Sequence, residues 1–162
     1  VLEASGNMTL DRVRRVAGWS EGGPWPRQMT PPVVQRRLGV EFGGQVRLAG
    51  YDGPDVAAEA VTLRLVWQGL GAARGDWTRF AQLIGPDGSI LAQHDSPPDG
   101  GAYPTSLWAE GEYVAETVVL PLDAPLPAGT YTLRAGLYNP ATGQRLANDR
   151  HQDHISIAIQ QE

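Results

Sequence analysis

The feature that most limits what this chain can become is a period of two in its apolar side chains from about residue 40 onward. Val61, Leu63, Leu65 and Trp67 alternate with Thr62, Arg64 and Gln68. Successive side chains of a strand point to opposite faces, so such a run buries one face and wets the other. Phe42, Val46, Leu48 and Gly50 predict an earlier strand, with Gly43-Gly44 as a bulge. Trp77 to Ile84 predicts a third, and Gly85-Pro86-Asp87-Gly88 turns it into a fourth at Ser89 to Gln93. Tyr113 to Leu122 carries Val114, Val118, Leu120 and Leu122 on one side. Past the corner at Pro125-Leu126-Pro127-Ala128-Gly129, Tyr131, Leu133, Ala135 and Leu137 line the next strand. Asn139-Pro140-Ala141-Thr142-Gly143 then leads to a short run at Gln144 to Ala147, and Ile155, Ile157 and Ile159 close the series. About eight short strands without a helix among them predict an all-β, immunoglobulin-like or fibronectin-like antiparallel sandwich of two sheets.

Residues 1–37 break this pattern and predict a leader ahead of a sandwich domain at 38–162. Leu10, Val13, Val16 and Ala17 have helical spacing between Thr9 and Gly18. Gly22-Gly23-Pro24-Trp25-Pro26 and Pro31-Pro32 then read as extended linker, with Trp19, Trp25 and Met29 apolar enough to let it lie against the domain. A chain beginning at Val1 reads as a piece of a longer protein or a processed form. At 162 residues there is material for one core, and 20 glycines and 13 prolines supply the turns of an all-β fold. The chain has no cysteine, which excludes disulfides, thiolate metal sites and thiol nucleophiles. Its net charge is −5 and all 13 basic residues are arginine. The one basic cluster, Arg12, Arg14 and Arg15, is too short a stripe for a nucleic-acid partner. No apolar run approaches the roughly 18 residues of a spanning helix, so direct membrane insertion is not expected.

Two residues sharpen the fold. Tyr131 begins a late strand just past a tight corner, where immunoglobulin-like sandwiches return a tyrosine hydroxyl to nearby backbone. Trp67 falls on the inward face of an early strand and predicts a core aromatic. Between the fourth and fifth runs, His94 to Trp108 holds Pro97, Pro98, Pro104, Gly100 and Gly101. That stretch predicts a long, stiff excursion, which in a compact domain packs or binds something.

Candidate chemistry is sparse. His94-Asp95 suggests a base with an orienting carboxylate, yet strand neighbours face opposite ways; the plainer expectation is that Asp95 caps backbone amides before the Pro-Pro turn. Asp149-Arg150-His151-Gln152-Asp153-His154 is dense in metal-type ligands, but its spacing fits no zinc motif. Asp52, Asp55 and Asp76 do not spell a calcium loop. No catalytic residue, metal or cofactor is therefore expected. Trp108, Tyr103 and Trp77 lie in or near loops, where exposed rings beside polar groups such as Asp95 and His94 would suit sugar stacking. The competing expectation is that Trp108 plugs the sandwich beneath its own loop.

The ordered segments Phe42-Gly43-Gly44-Gln45-Val46-Arg47-Leu48-Ala49-Gly50-Tyr51-Asp52, Leu65-Val66-Trp67-Gln68, His94-Asp95-Ser96-Pro97-Pro98, Tyr103-Pro104-Thr105-Ser106-Leu107-Trp108, Glu110-Gly111-Glu112, Gly129 to Tyr138 and Thr142 to Leu146 carry a family resemblance. Over about residues 40–160 the chain resembles the soluble β-sandwich that follows the spanning region of bacterial membrane proteins similar to family 39, mannosyltransferase-like glycosyltransferases. Gln82 departs from that pattern, where the resemblance implies a histidine. It implies a non-catalytic, extracytoplasmic accessory module whose partners are glycan or another region of the parent protein, with the catalytic groups elsewhere. Two readings stand beside it: a protein-interaction or spacer module, and, remotely, a small hydrolase or metal-binding enzyme.

Overall fold

The structure, a computed structural model, describes residues 27–71 and 75–162. Four strands, β1 (Arg36–Phe42), β2 (Val46–Val56), β3 (Ala60–Gly69) and β6 (Tyr113–Pro121), make a first sheet in the order β1-β2-β3-β6. A second sheet holds β4 (Thr78–Ile84), β5 (Ile90–Ser96), β7 (Gly129–Tyr138) and β8 (Ile155–Gln161) in the order β5-β4-β7-β8. Every pairing is antiparallel. With β1 set aside, β2-β3-β6 face β5-β4-β7-β8, the strand arrangement of an immunoglobulin-like sandwich. The fold expected from the alternation is the fold observed. No helix among the described residues is long and apolar enough to cross a membrane.

Register places the apolar stripes against each other. Across β3 and β6, Val61 faces Leu120, Leu63 faces Val118 and Trp67 faces Val114, all buried. Across β7 and β8, Tyr131 faces Ile159, Leu133 faces Ile157 and Ala135 faces Ile155. Burying such a side chain contributes about 1.5–3 kcal/mol, and these stripes from two sheets form one core. Trp67 is fully buried, with Phe42 edge-on to it at 6.1 Å between ring centroids. The Tyr131 hydroxyl donates to the Pro127 carbonyl at 2.7 Å, so the expected tyrosine corner is present.

The structure corrects several local expectations. Gly43-Gly44 is not a bulge within one strand but the turn of a hairpin that separates β1 from β2. Both glycines lie in the left-handed region, at φ +59° and +66°, which lets the chain reverse before Gln45 donates back to Phe42 O. β5 runs on to Ser96, so His94 and Asp95 belong to a strand rather than to the excursion. Gln144 to Ala147 is not a strand; Arg145 makes an isolated bridge to Tyr138, and its guanidinium covers the Phe80 ring at 4.0 Å. The predicted helix over Leu10 to Ala17 lies outside the described residues, as do Trp19 and Trp25. Residues 27–35 are extended and cross the outer face of the first sheet as a strap. At one end Tyr113 N donates to Gln28 O (2.8 Å); at the other Gln35 N donates to Asp52 Oδ1 (2.7 Å) and Gly53 N to Gln35 Oε1 (2.9 Å).

Candidate functional site

The excursion after β5 folds around one buried carboxylate. Glu112 is 2% exposed and accepts from the Tyr103 hydroxyl (2.8 Å), Ala109 N (2.9 Å) and Arg27 Nη1 (2.5 Å). Trp108 Nε1 donates to Tyr103 O at 2.9 Å, and the two rings stand 6.5 Å apart. Thr105 fastens the loop to its neighbour, donating to Gly75 O and accepting from Trp77 N. Tyr103 and Trp108 are each only 4% exposed, so they do not present a stacking platform to solvent. Ordering fourteen or so residues of Pro/Gly chain costs conformational entropy, and burying both rings offsets it. Trp77 is partly buried and donates its indole N–H to Gln45 Oε1. Burial first, and Glu112 second, push the Tyr103 hydroxyl far above the usual phenol value.

His94 and Asp95 diverge. His94 Nδ1 lies 3.2 Å from Arg79 Nη1, whereas Asp95 faces the Tyr138 hydroxyl. Burial is the larger cause of the raised Tyr138 value, and Asp95 adds to it. Asp95 therefore does not cap the Pro-Pro turn as expected; the local bond there is Ser96 Oγ to Pro97 O. Gln82 is in register with Gln93, not with His94.

The group that sequence reasoning missed is Arg79–Glu116. It bridges the two sheets inside the core, with both side chains 2% exposed. Glu116 Oε1 accepts from Arg79 Nε (3.2 Å) and Nη2 (3.0 Å), while Oε2 accepts from Trp67 Nε1 (2.6 Å). Arg79 Nη1 also donates to His94 O at 2.7 Å. Parity alone could have flagged both: Glu116 falls between Val114 and Val118, and Arg79 precedes Ala81 and Leu83 on the inward register. The cluster is saturated by its own members, so it acts as a structural clamp.

The 149–154 segment is likewise internally bonded. Asn148 Oδ1 accepts from Arg150 N and Gln152 N, and Asn148 Nδ2 donates to His154 O. Asp153 pairs with His154 Nδ1 at 2.6 Å, the main cause of its lowered carboxyl value. Asp52 serves the strap and Arg64, and Asp76 accepts from Ser106 N. Among the described residues no three His, Asp or Glu side chains gather as a metal site would require.

An open site does exist where the strap crosses the first sheet. A groove of about 260 Å³ is walled by Pro31, Pro32 and Val34 of the strap and floored by Val66, Gln68 and Arg47. Arg37 and Tyr113 stand at its sides. The register Arg47–Gln68, beside the inward pair Leu48–Trp67, puts these floor residues on the outer face. Arg47 Nη1 donates to Gln68 Oε1 (3.1 Å) and Arg47 Nη2 pairs with Glu41 (2.6 Å). Arg37 is exposed and makes no ion pair among the described residues.

No protein-family model and no curated protein matches the chain. Solved structures do. The crystal structure of the C-terminal domain of wzt covers 96% of this chain and 90% of its own, at a TM-score of 0.51 and 16% identity. That likeness is one of fold. A glycosyl hydrolase family 2 member from Bacteroides cellulosilyticus matches over 76% of this chain, with a TM-score of 0.49 and 11% identity. The chain spans only 15% of that hydrolase's length. The CARDB domain of a Pyrococcus furiosus protein, solved with di-metal ions, matches over 82% of this chain and 94% of its own, at a TM-score of 0.41 and 14% identity.

Proposed function

We propose that this chain is a non-catalytic β-sandwich module on the extracytoplasmic side of a membrane protein similar to family 39 glycosyltransferases, held in a set orientation and in contact with glycan. The observation that carries this reading is the docked strap. Arg27 reaches from the strap into the buried Glu112–Tyr103 cluster, and its guanidinium also donates to Leu107 O at 3.0 Å. Residue 27 is therefore held at a fixed point beside β6. A tether of that kind suits a module whose job is placement; a free linker would leave the sandwich tumbling. In the full-length membrane protein, Arg27→Ala should lower sugar transfer while the sandwich stays folded by circular dichroism. Unaltered transfer with a released strap would end the placement reading.

A second reading, a protein-interaction module, has its own support. β5 is an edge strand whose free side carries no partner strand, and Ile90 and Leu91 are 52% and 43% exposed. The first half of this edge, Ile90 to Gln93, carries no charge, and such an edge accepts an extended segment of another protein by strand addition. Leu91→Lys should abolish such pairing; a co-purified partner retained by the variant would count against it.

A further inference from the structure

The groove under the strap combines three features that suit one class of ligand. Its floor and side offer hydrogen-bonding groups: Arg47 is fixed between Glu41 and Gln68, and the hydroxyl of Tyr113 at the side has no hydrogen-bond partner among the described residues. Its wall, Pro31, Pro32 and Val34, is apolar, as the C–H face of a pyranose ring requires. Its charge is unbalanced, because two guanidiniums line it, no carboxylate does, and only Arg47 is paired nearby. That leaves Arg37 as a positive centre at the groove, on a chain whose net charge is −5. A guanidinium recognises a carboxylate with two parallel bonds, which is why arginine marks such sites. The volume, about 260 Å³, lies just under the usual range for ligand pockets and accommodates a single sugar ring rather than a long chain.

We infer that the strap groove binds one carboxylated sugar unit, a hexuronate, with its carboxylate on Arg37, its hydroxyls on the Arg47–Gln68 pair and Tyr113, and its ring against Pro31-Pro32. The inference deepens the glycan-contact part of the proposed function and rests on it, whereas the tether does not depend on the groove. The site is built jointly by strap and sheet, so it exists only while residues 27–35 are docked.

The test uses the 162-residue chain, isotope-labelled, with amide chemical shifts followed by NMR. D-galacturonic acid is the probe, D-galactose its neutral twin, and acetate the bare carboxylate. Galacturonate should shift the amides of Arg47, Val66, Gln68 and Tyr113; galactose should bind about tenfold more weakly, the worth of one charge-assisted contact, and acetate, which keeps that contact but lacks the ring and hydroxyls, should bind more weakly by a similar factor. Arg37→Gln, an exposed change that leaves the core untouched, should weaken galacturonate by a similar factor, with Arg37→Lys recovering part of it. Galactose binding as well as galacturonate would overturn the charge assignment, and acetate doing so would overturn the sugar. Shifts indifferent to Arg37→Gln, or absent with all three probes, would overturn the site while leaving the Arg27 tether standing.

Discussion

Arg79 and Glu116 occupy positions that the alternation reserves for apolar residues, and each is buried because the other is there. Taking two charges out of water costs several kcal/mol per ion, which their attraction and the bonds from Trp67 and to His94 return. Removing one partner is therefore worse than removing both. Glu116→Ala should destabilise the chain by about 3–5 kcal/mol in urea unfolding, because Arg79 is left buried and unpaired. The double change Arg79→Met with Glu116→Leu should recover most of that loss; a double variant no better than the single would show that the charge itself is not what hurts. Tyr131 is a simpler case. Tyr131→Phe keeps the ring and deletes the bond to Pro127 O, so about 1 kcal/mol should disappear from the same measurement. That bond was legible from position alone, a tyrosine just past a Pro-Ala-Gly corner. The Arg79–Glu116 pair was not, because the two residues are separated by thirty-odd positions and meet only when the sheets stack.

Strands with alternating apolar positions were readable one by one: β3, β6, β7 and β8 stand where those positions put them, and β4, buried on both faces, was readable from the turn that follows it. β1 was not, since its residues Arg36 to Gly39 have no period and its pairing with β2 slips between Arg37 and Val40. The strap was read as an extended linker able to lie against the domain, but the bonds that dock it are made with residues far along the chain, which local sequence does not announce. Gly50 is one of them. A Cβ there would sit 2.5 Å from Arg36 O and 2.7 Å from Val34 Cγ2, so the strap and β1 can lie this close only over a glycine. Gly50→Ala should cost about 1–3 kcal/mol and speed hydrogen exchange at Gln35, as the strap lifts from β2. Exchange at Gln35 equal to that of the parent chain would mean the strap is not held there. The aromatic loop shows the same division. Its prolines and glycines announced an excursion, but only Glu112, beneath it, decided that Tyr103 and Trp108 point inward.

At the scale of the whole molecule, the Glu112 cluster links the strap, the excursion and the edge of the first sheet. Its titration should therefore be felt globally. The Tyr103 phenol holds its proton more tightly in the folded chain than in the unfolded one, because burial and then Glu112 oppose a phenolate. The stability this contributes is whole below about pH 10, the unfolded value, and is lost as the pH climbs above it toward the folded one. Absorbance at 295 nm should then show one tyrosine that ionises only together with unfolding. A chain in which every tyrosine titrates before the fold is lost would contradict the buried cluster. What the sequence determined by itself is the sandwich: a period of two, interrupted by turn residues, can bury its apolar face only by stacking one sheet on another. What the tertiary structure alone decided is where the polar exceptions go. A charged or aromatic side chain is placed by the partners that desolvate it, and those partners come from strands far away in the chain. The open groove is of the same kind, since neither strap nor sheet contains it and only their crossing makes it.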